Sequence, residues 1–207
     1  MINLPSITTL VTQKAPDFSA PAVLNDGQIV AKYNLAENLK NKYGIIFFYP
    51  LGFTFVCPSE LIALNNRMDE FKKRHVEVVG VSIDSQFVHH AWRNTPIEKG
   101  GIGQLNYPLI ADIDHSICRA YGVEHPEAGV ALRGTFVIDK KGIIRAAIIN
   151  DLPLGRNIDE LIRLVDAIEH HEQHGEVCPA GWNKGDVAIK ATSAGIATYL
   201  AENAETL

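Results

Sequence analysis

The sequence predicts an α/β fold: a mixed central sheet flanked by helices, with a small N-terminal β extension and a C-terminal arm. Three observations carry that reading. Strand-like and helix-like segments alternate in the order β-α-β-α-β-α-β-β-α, the pattern of a sheet covered on both faces. Ile45 to Tyr49 is a continuous β-branched and aromatic run, as in a strand buried on both sides. Two strand-like segments meet at Asp139-Lys140-Lys141-Gly142, a hairpin that makes part of the sheet antiparallel. The body is expected over residues 1–174 and the arm over residues 175–207, where composition shifts to Gly, Pro and Ala.

The elements follow in order. Residues 1–15 read as extended and polar, and Ala15-Pro16-Asp17-Phe18 begins the ordered part. Asn25-Asp26-Gly27-Gln28 is a turn signal between strands at 18–24 and 28–33. A short helix is expected within 33–41. Pro50 ends the next strand, because proline cannot donate to a ladder. Leu61, Leu64, Met68 and Phe71 recur at helical spacing in one helix over 58–74, closed by Lys72-Lys73-Arg74 at its negative end. Residues 76–83 form a buried strand. Asp84 or Ser85 caps a helix with Phe87, Val88, Ala91 and Trp92 inward, stopping before Pro96. Residues 99–103 are a flexible glycine loop, and 107–111 a short strand. Asp114 caps a short helix ending at Tyr121-Gly122. The hairpin strands are 135–138 and 143–149. Asn157 with Glu160 resembles a capping box, opening a helix with Ile158, Leu161, Ile162, Val165 and Ile168 inward. One further short helix is expected near 193–203.

Bulk properties narrow the function. With 19 basic and 24 acidic residues in 207, there is no basic stripe for nucleic acid. Met-Ile-Asn-Leu-Pro is not a basic leader followed by an apolar core, and no apolar run approaches a membrane span. A cytoplasmic protein is expected. The three cysteines, 57, 118 and 178, include no Cys-x-x-Cys pair, which argues against a zinc ribbon or an active dithiol. A bridge in such a chain is chemical rather than structural.

Cys57 stands where a strand and turn hand over to a helix, and Pro58 suits the first helical position. Unpaired backbone N–H groups and the macrodipole there favour an anion. The thiolate is the nucleophilic form, so Cys57 is a candidate reactive residue. Cys118 lies beside Ile117 on a short helix and reads as a small buried hydrophobe. His170, His171 and His174 read as cations at a helix C-terminus, since no matching cysteine or carboxylate motif completes a zinc site. His89-His90 reads as a solvated face, and Trp92 and Trp182 as packing residues.

Pro50-x-x-x-Thr54-x-x-Cys57, within Phe-Tyr-Pro-Leu-Gly-Phe-Thr-Phe-Val-Cys-Pro-Ser-Glu, resembles the active-site signature of the peroxiredoxins. Arg133 in Leu-Arg-Gly-Thr-Phe-Val-Ile-Asp resembles their active-site arginine. Cys178 in Gly-Glu-Val-Cys-Pro-Ala-Gly-Trp resembles the resolving cysteine of the typical two-cysteine class. The resemblance runs from about residue 15 onward and implies a thioredoxin-like fold. It also implies thiol-dependent reduction of hydrogen peroxide and organic hydroperoxides, with no cofactor and no metal. Cys57 would attack the peroxide, and Arg133 and Thr54 would stabilise thiolate and departing oxygen. Pro50 would shield the sulfur and Glu60 would orient the arginine. The sulfenic acid so formed would condense with Cys178, across a homodimer in the typical class. Thioredoxin or a flavoprotein disulfide reductase would restore the thiols. Dimers of this family often build decamers, and some members act as holdase chaperones or peroxide relays when over-oxidised.

Gly52 departs from the family's usual aspartate. Gly100-Gly101-Ile102-Gly103 and Tyr199-Leu200 resemble features tied to easy over-oxidation. A thioredoxin-type thiol–disulfide oxidoreductase is the rival reading, and the missing Cys-x-x-Cys argues against it.

Overall fold

The computed structural model describes residues 9–207. The first eight residues of the extended stretch expected over 1–15 lie outside the described residues. The chain divides into two compact units, Met1–Ile158 and Asp159–Leu207.

The first unit is built on one seven-stranded sheet of order β2-β1-β5-β4-β3-β6-β7. Its strands are β1 (Ser19–Val23), β2 (Ile29–Asn34), β3 (Tyr43–Phe48), β4 (Val76–Ser82), β5 (Leu109–Ala111), β6 (Arg133–Ile138) and β7 (Ile144–Asn150). β3, β4 and β5 are mutually parallel, whereas β6 runs antiparallel to β3 and pairs with β7. All six residues of β3 are buried, as its unbroken apolar run requires. Ile46 and Phe48 join Val79, Val81, Phe136 and Ile138 in the main core, the period-2 consequence of the pleat. Cys118 is fully buried in that same cluster.

The N-terminal hairpin turns at Gly27, whose φ of +87° suits glycine. It is not a separate β unit, because β1 pairs antiparallel with β5 and so enters the central sheet. Residues 12–15 run beside the far edge, where Thr12 N–H donates to Ile144 O at 2.8 Å and Ala15 N–H to Gly142 O at 2.9 Å.

Several helices differ from expectation. Only α1 (Leu35–Asn38) forms within 33–41, with Asn34 as its cap. The expected helix over 58–74 is two, α2 (Cys57–Asn65) and α3 (Met68–Lys73). Arg67 N–H reaches back three residues to Leu64 O, a tightened turn that ends α2. The Asn65 side chain is drawn off to accept from Asn106 N–H at 2.8 Å. The short helix α5 (Ser116–Ala120) is capped chiefly by Asp112, whose carboxylate accepts from Ile117 and Cys118 N–H. The expected cap, Asp114, takes only Ser116 N–H. Residues 97–103 are tied down rather than loose: Trp92 Nε1 donates to Gly100 O at 2.8 Å. A Cβ at Gly101 would lie 1.8 Å from Thr95 O, so that approach excludes any side chain.

The helix α4 (Gln86–Asn94) is capped by Ser85 and buries a face that its apolar pattern did not indicate. Trp92 is inside, but Phe87 is 66% exposed and His89 is fully buried. The reading of His89 as solvated is therefore wrong; His90 is exposed. His89 escapes the cost of burial because both ring nitrogens have partners, Tyr49 Oη at 3.1 Å and Ile110 O at 3.1 Å. Burial holds its pKa down at about 4, against the opposing charge of Asp84 and the bond to Ile110 O. A depressed histidine pKa gives stability that is complete above the unfolded value near 6.5 and lost as pH falls toward 4. That loss should be about 3 kcal/mol. Urea unfolding between pH 7 and 4.5 should show a steeper decline for the wild type than for His89→Gln; parallel curves would refute it.

All but the first residue of α6 (Ile158–His174) belong to the second unit, and on it Leu161, Val165 and Ile168 are buried and Ile162 half-buried. Val177 and Ile189 then form an antiparallel bridge around a loop carrying Cys178 and Trp182. His170 and His171 meet Glu176, at its carboxylate (3.1 Å) and carbonyl (2.7 Å) respectively. The last helix, α7 (Ser193–Asn203), begins at the Thr192 cap. Among the described residues no helix is long and apolar enough to cross a membrane.

Candidate active site

β3 ends at Phe48, and the chain passes through buried Tyr49 and Pro50 into the loop that leads to α2. The antiparallel register Phe47↔Thr135 brings the first residue of β6, Arg133, to this same end of the sheet. α2 starts there at Cys57 with proline next in line and no side-chain cap on its amino end. Four of the predicted site residues, Thr54, Cys57, Glu60 and Arg133, thus meet in the first unit; Pro50 is buried at the start of the same loop, and Cys178 lies in the second unit.

Cys57 is fully buried. Thr54 Oγ1 lies 3.0 Å from its sulfur and 2.8 Å from Leu51 O. One hydroxyl proton therefore faces two acceptors. Arg133 Nη1 is 3.5 Å from the sulfur and donates to Glu60 Oε2 at 2.7 Å, and its Nε donates to Leu152 O at 2.6 Å. The guanidinium is thus fixed from two sides with one donor turned to Sγ.

Glu60 is shared with a second arginine that nothing in the sequence singled out. Arg156 donates to Glu60 Oε1 from its backbone N–H and Nε, both at 2.9 Å, and from Nη2 to Oε2 at 3.1 Å. Its Nη1 reaches Gly134 O and Thr135 Oγ1. Its guanidinium also lies 3.3 Å from the centre of the Phe47 ring. Both arginines and Glu60 are buried. Two guanidiniums face one carboxylate in this buried cluster, an excess of one positive charge. The Cys57 sulfur lies 3.5 Å from Arg133 Nη1, the same nitrogen that donates to Glu60.

The loop is held from β4. Asp84 Oδ2 accepts Gly52 N–H at 2.7 Å and Ser82 Oγ at 2.7 Å. Gly52 thus turns its N–H to the carboxylate, and a Cβ there would lie 3.4 Å from Asp84 Oδ2 and from Trp92. Phe53 sits at φ +53°, an uncommon conformation for a bulky residue, with its ring 5.6 Å from that of Trp92. Asp84 appeared in the sequence as a possible helix cap, a role that belongs to Ser85.

The other cysteines differ in setting. Burial first, and then the Asp112 carboxylate, pushes the Cys118 thiol up to about 12. Its sulfur, His115 and Glu124 place three donor atoms within 4.8 Å of one another. His115 already bonds Glu124 at 2.8 Å and Arg119 takes the other carboxylate oxygen, so this cluster is an ion-paired one. Cys178 is half-buried, and its sulfur donates weakly to Ala167 O at 3.6 Å.

Comparison with known proteins places this geometry. Residues 11–147 match the model of the AhpC/TSA family, and residues 167–202 that of the C-terminal domain of 1-Cys peroxiredoxin. Alkyl hydroperoxide reductase C of Helicobacter pylori is 57% identical over 194 residues, covering 94% of this chain and 98% of that protein. Peroxiredoxin-2 of Macaca fascicularis is 51% identical over 180 residues, 87% of this chain and 89% of its own length. Among solved structures, the reduced 2-Cys peroxiredoxin of Plasmodium vivax superposes with a TM-score of 0.90 at 45% identity, covering 94% of this chain and all of that one. The fold is thioredoxin-like. With the signature cysteine, its threonine and its arginine gathered at one end of such a sheet, the chain belongs to the AhpC/TSA family and groups with its 2-Cys peroxiredoxins.

Proposed function

We propose that this protein is a thiol-dependent peroxidase in which Cys57 reduces hydrogen peroxide and organic hydroperoxides. The observation that carries it is the fully buried Cys57 sulfur, 3.0 Å from Thr54 Oγ1 and 3.5 Å from Arg133 Nη1. The thiolate attacks one peroxide oxygen, the O–O bond breaks, and the other oxygen leaves as alkoxide and takes up a proton. Arg133 and Thr54 face the place where that negative charge develops. Pro50, buried where β3 gives way to this loop, keeps water from the sulfur in this reading. Glu60 and Arg156 fix the direction of Arg133.

Attack leaves a sulfenic acid on Cys57. Cys178 is the resolving thiol, and it releases water as the disulfide forms. Its partial exposure in the arm of residues 175–207 supports that role, whereas Cys118 is a core residue with a strongly disfavoured thiolate. An external dithiol, thioredoxin or a flavoprotein disulfide reductase, then exchanges with the disulfide. A cytoplasmic setting suits a chain that works through free thiols.

The reading includes a homodimer assembled further into a decamer. β7 is an edge strand, and among the described residues only 12–14 pair with its outer side, at Ile143 and Ile144. A second β7 can add along the remainder. Phe55, Phe87 and Phe53, exposed at 97%, 66% and 52%, are further apolar side chains that a partner copy would cover.

The test is a non-reducing gel after one equivalent of hydrogen peroxide. Wild type should give a cross-linked dimer that both Cys57→Ser and Cys178→Ser lose, and Cys57→Ser should also lose all peroxide consumption. Full turnover by Cys57→Ser would end the proposal.

A further inference from the structure

We propose that Arg163 is a positioning residue for the second half of the reaction, holding the Cys178 loop on α6 and supplying the cation that keeps its thiol reactive. The proposal rests on Cys178 being the resolving thiol. The geometry lies wholly within the second unit. Arg163 Nη1 donates to Trp182 O at 3.0 Å, so the guanidinium grips the loop four residues beyond the cysteine. One turn along the same helix, Ala167 O receives the Cys178 sulfur. Glu160, one turn the other way, takes Arg163 Nε at 2.6 Å and Nη2 at 2.7 Å, a two-pronged brace that sets the direction of the fork. Trp182 is itself nearly buried and donates from Nε1 to Asp186 O at 3.0 Å, so the gripped carbonyl is a fixed point.

The surrounding charges act in opposite senses. Burial raises the Cys178 thiol above its usual range, Arg163 opposes that rise, and Glu176 on its own segment adds to it. Glu176 is occupied by His170, and Lys184 lies on Asp166 at 3.5 Å. Arg163 is therefore the cation whose field acts on the sulfur. A plain surface i,i+3 ion pair would account for Glu160 and Arg163 alone, but not for the third bond, which is spent on the loop.

The step served is attack of the Cys178 thiolate on the sulfenic sulfur of Cys57. The S–S bond forms and the S–O bond breaks, and hydroxide leaves and is protonated to water. The sulfenic sulfur is reduced and the Cys178 sulfur is oxidised, with no other reactant. Only the ionised fraction of Cys178 attacks, so losing the cation lowers the rate near neutral pH and leaves it at high pH.

The experiment mixes full-length protein with one equivalent of hydrogen peroxide, quenches acid-first across pH 6–10, and measures sulfenic acid and disulfide by mass spectrometry. In Arg163→Gln, disulfide formation at pH 7 should slow severalfold, with its pH midpoint moved up. Sulfenic acid on Cys57 should still form at the wild-type rate. Arg163→Lys, which keeps the charge without the fork, should recover most of the midpoint. A midpoint that does not move, whether the rate falls equally at every pH or stays unchanged, would overturn the proposal. Absence of a Cys57–Cys178 disulfide in the wild type would instead remove the resolving role of Cys178 and this inference with it.

Discussion

Arg133→Met should lower the second-order rate constant for hydroperoxide reduction by about 10²–10³-fold, the usual cost of losing one donor aimed at a developing oxyanion. The protein should remain folded. Arg133 shares Glu60 with Arg156, so its removal leaves a balanced, buried one-to-one ion pair rather than a stranded carboxylate. Arg133→Lys should recover little, because the native fork spends Nε on Leu152 O and Nη1 on both Glu60 and Cys57. An ammonium cannot meet those directions together. The loss should fall on the rate of sulfur oxidation, read by single-turnover kinetics. A full rate in Arg133→Met, with circular dichroism unchanged, would show that the anion at Cys57 is held by the helix end alone.

Glu60→Gln should be the most destabilising single change at the site, costing about 3–5 kcal/mol. Its carboxylate is the counterion to two guanidiniums, and Glu60, Arg133 and Arg156 are 3%, 4% and 8% exposed. Removing the negative charge leaves two like charges facing one another without water. The amide must also turn its NH₂ toward one of them. Peroxide reduction should fall as well, since Arg133 loses the partner that aims it. Urea unfolding at pH 7 measures the first effect, and a loss below about 1 kcal/mol would mean that solvent screens the cluster.

The part of the molecule that was legible in the sequence is the part governed by local rules. The buried strand ending at Pro50, the helix opening at Cys57-Pro58 and the hairpin at Gly142 each follow from side-chain type, proline or glycine at a given position. The motif from Pro50 to Cys57 was legible because its spacing is fixed by one turn of chain. Arg156 was not. It has no pattern around it, and it reaches Glu60 from 96 residues away only because β6 and the loop after β7 return to the same end of the sheet. His89 was misread for a related reason. A helical histidine beside another histidine looks solvated, and only the distant Tyr49 hydroxyl and Ile110 carbonyl make its burial tolerable. The division of 58–74 into two helices was hidden because Leu61, Leu64, Met68 and Phe71 keep an apolar face through the tightened turn at Arg67.

Thr54 sits between the sulfur and the backbone of its own loop. Its one proton can point to the sulfur or swing to the Leu51 carbonyl without the side chain leaving its place. Pointed at Cys57, the hydroxyl donates to the sulfur 3.0 Å away. Pointed at the Leu51 carbonyl, the same hydroxyl stitches the loop to itself. The hydroxyl therefore has two rest positions, and moving between them costs the chain nothing but the turning of a single O–H.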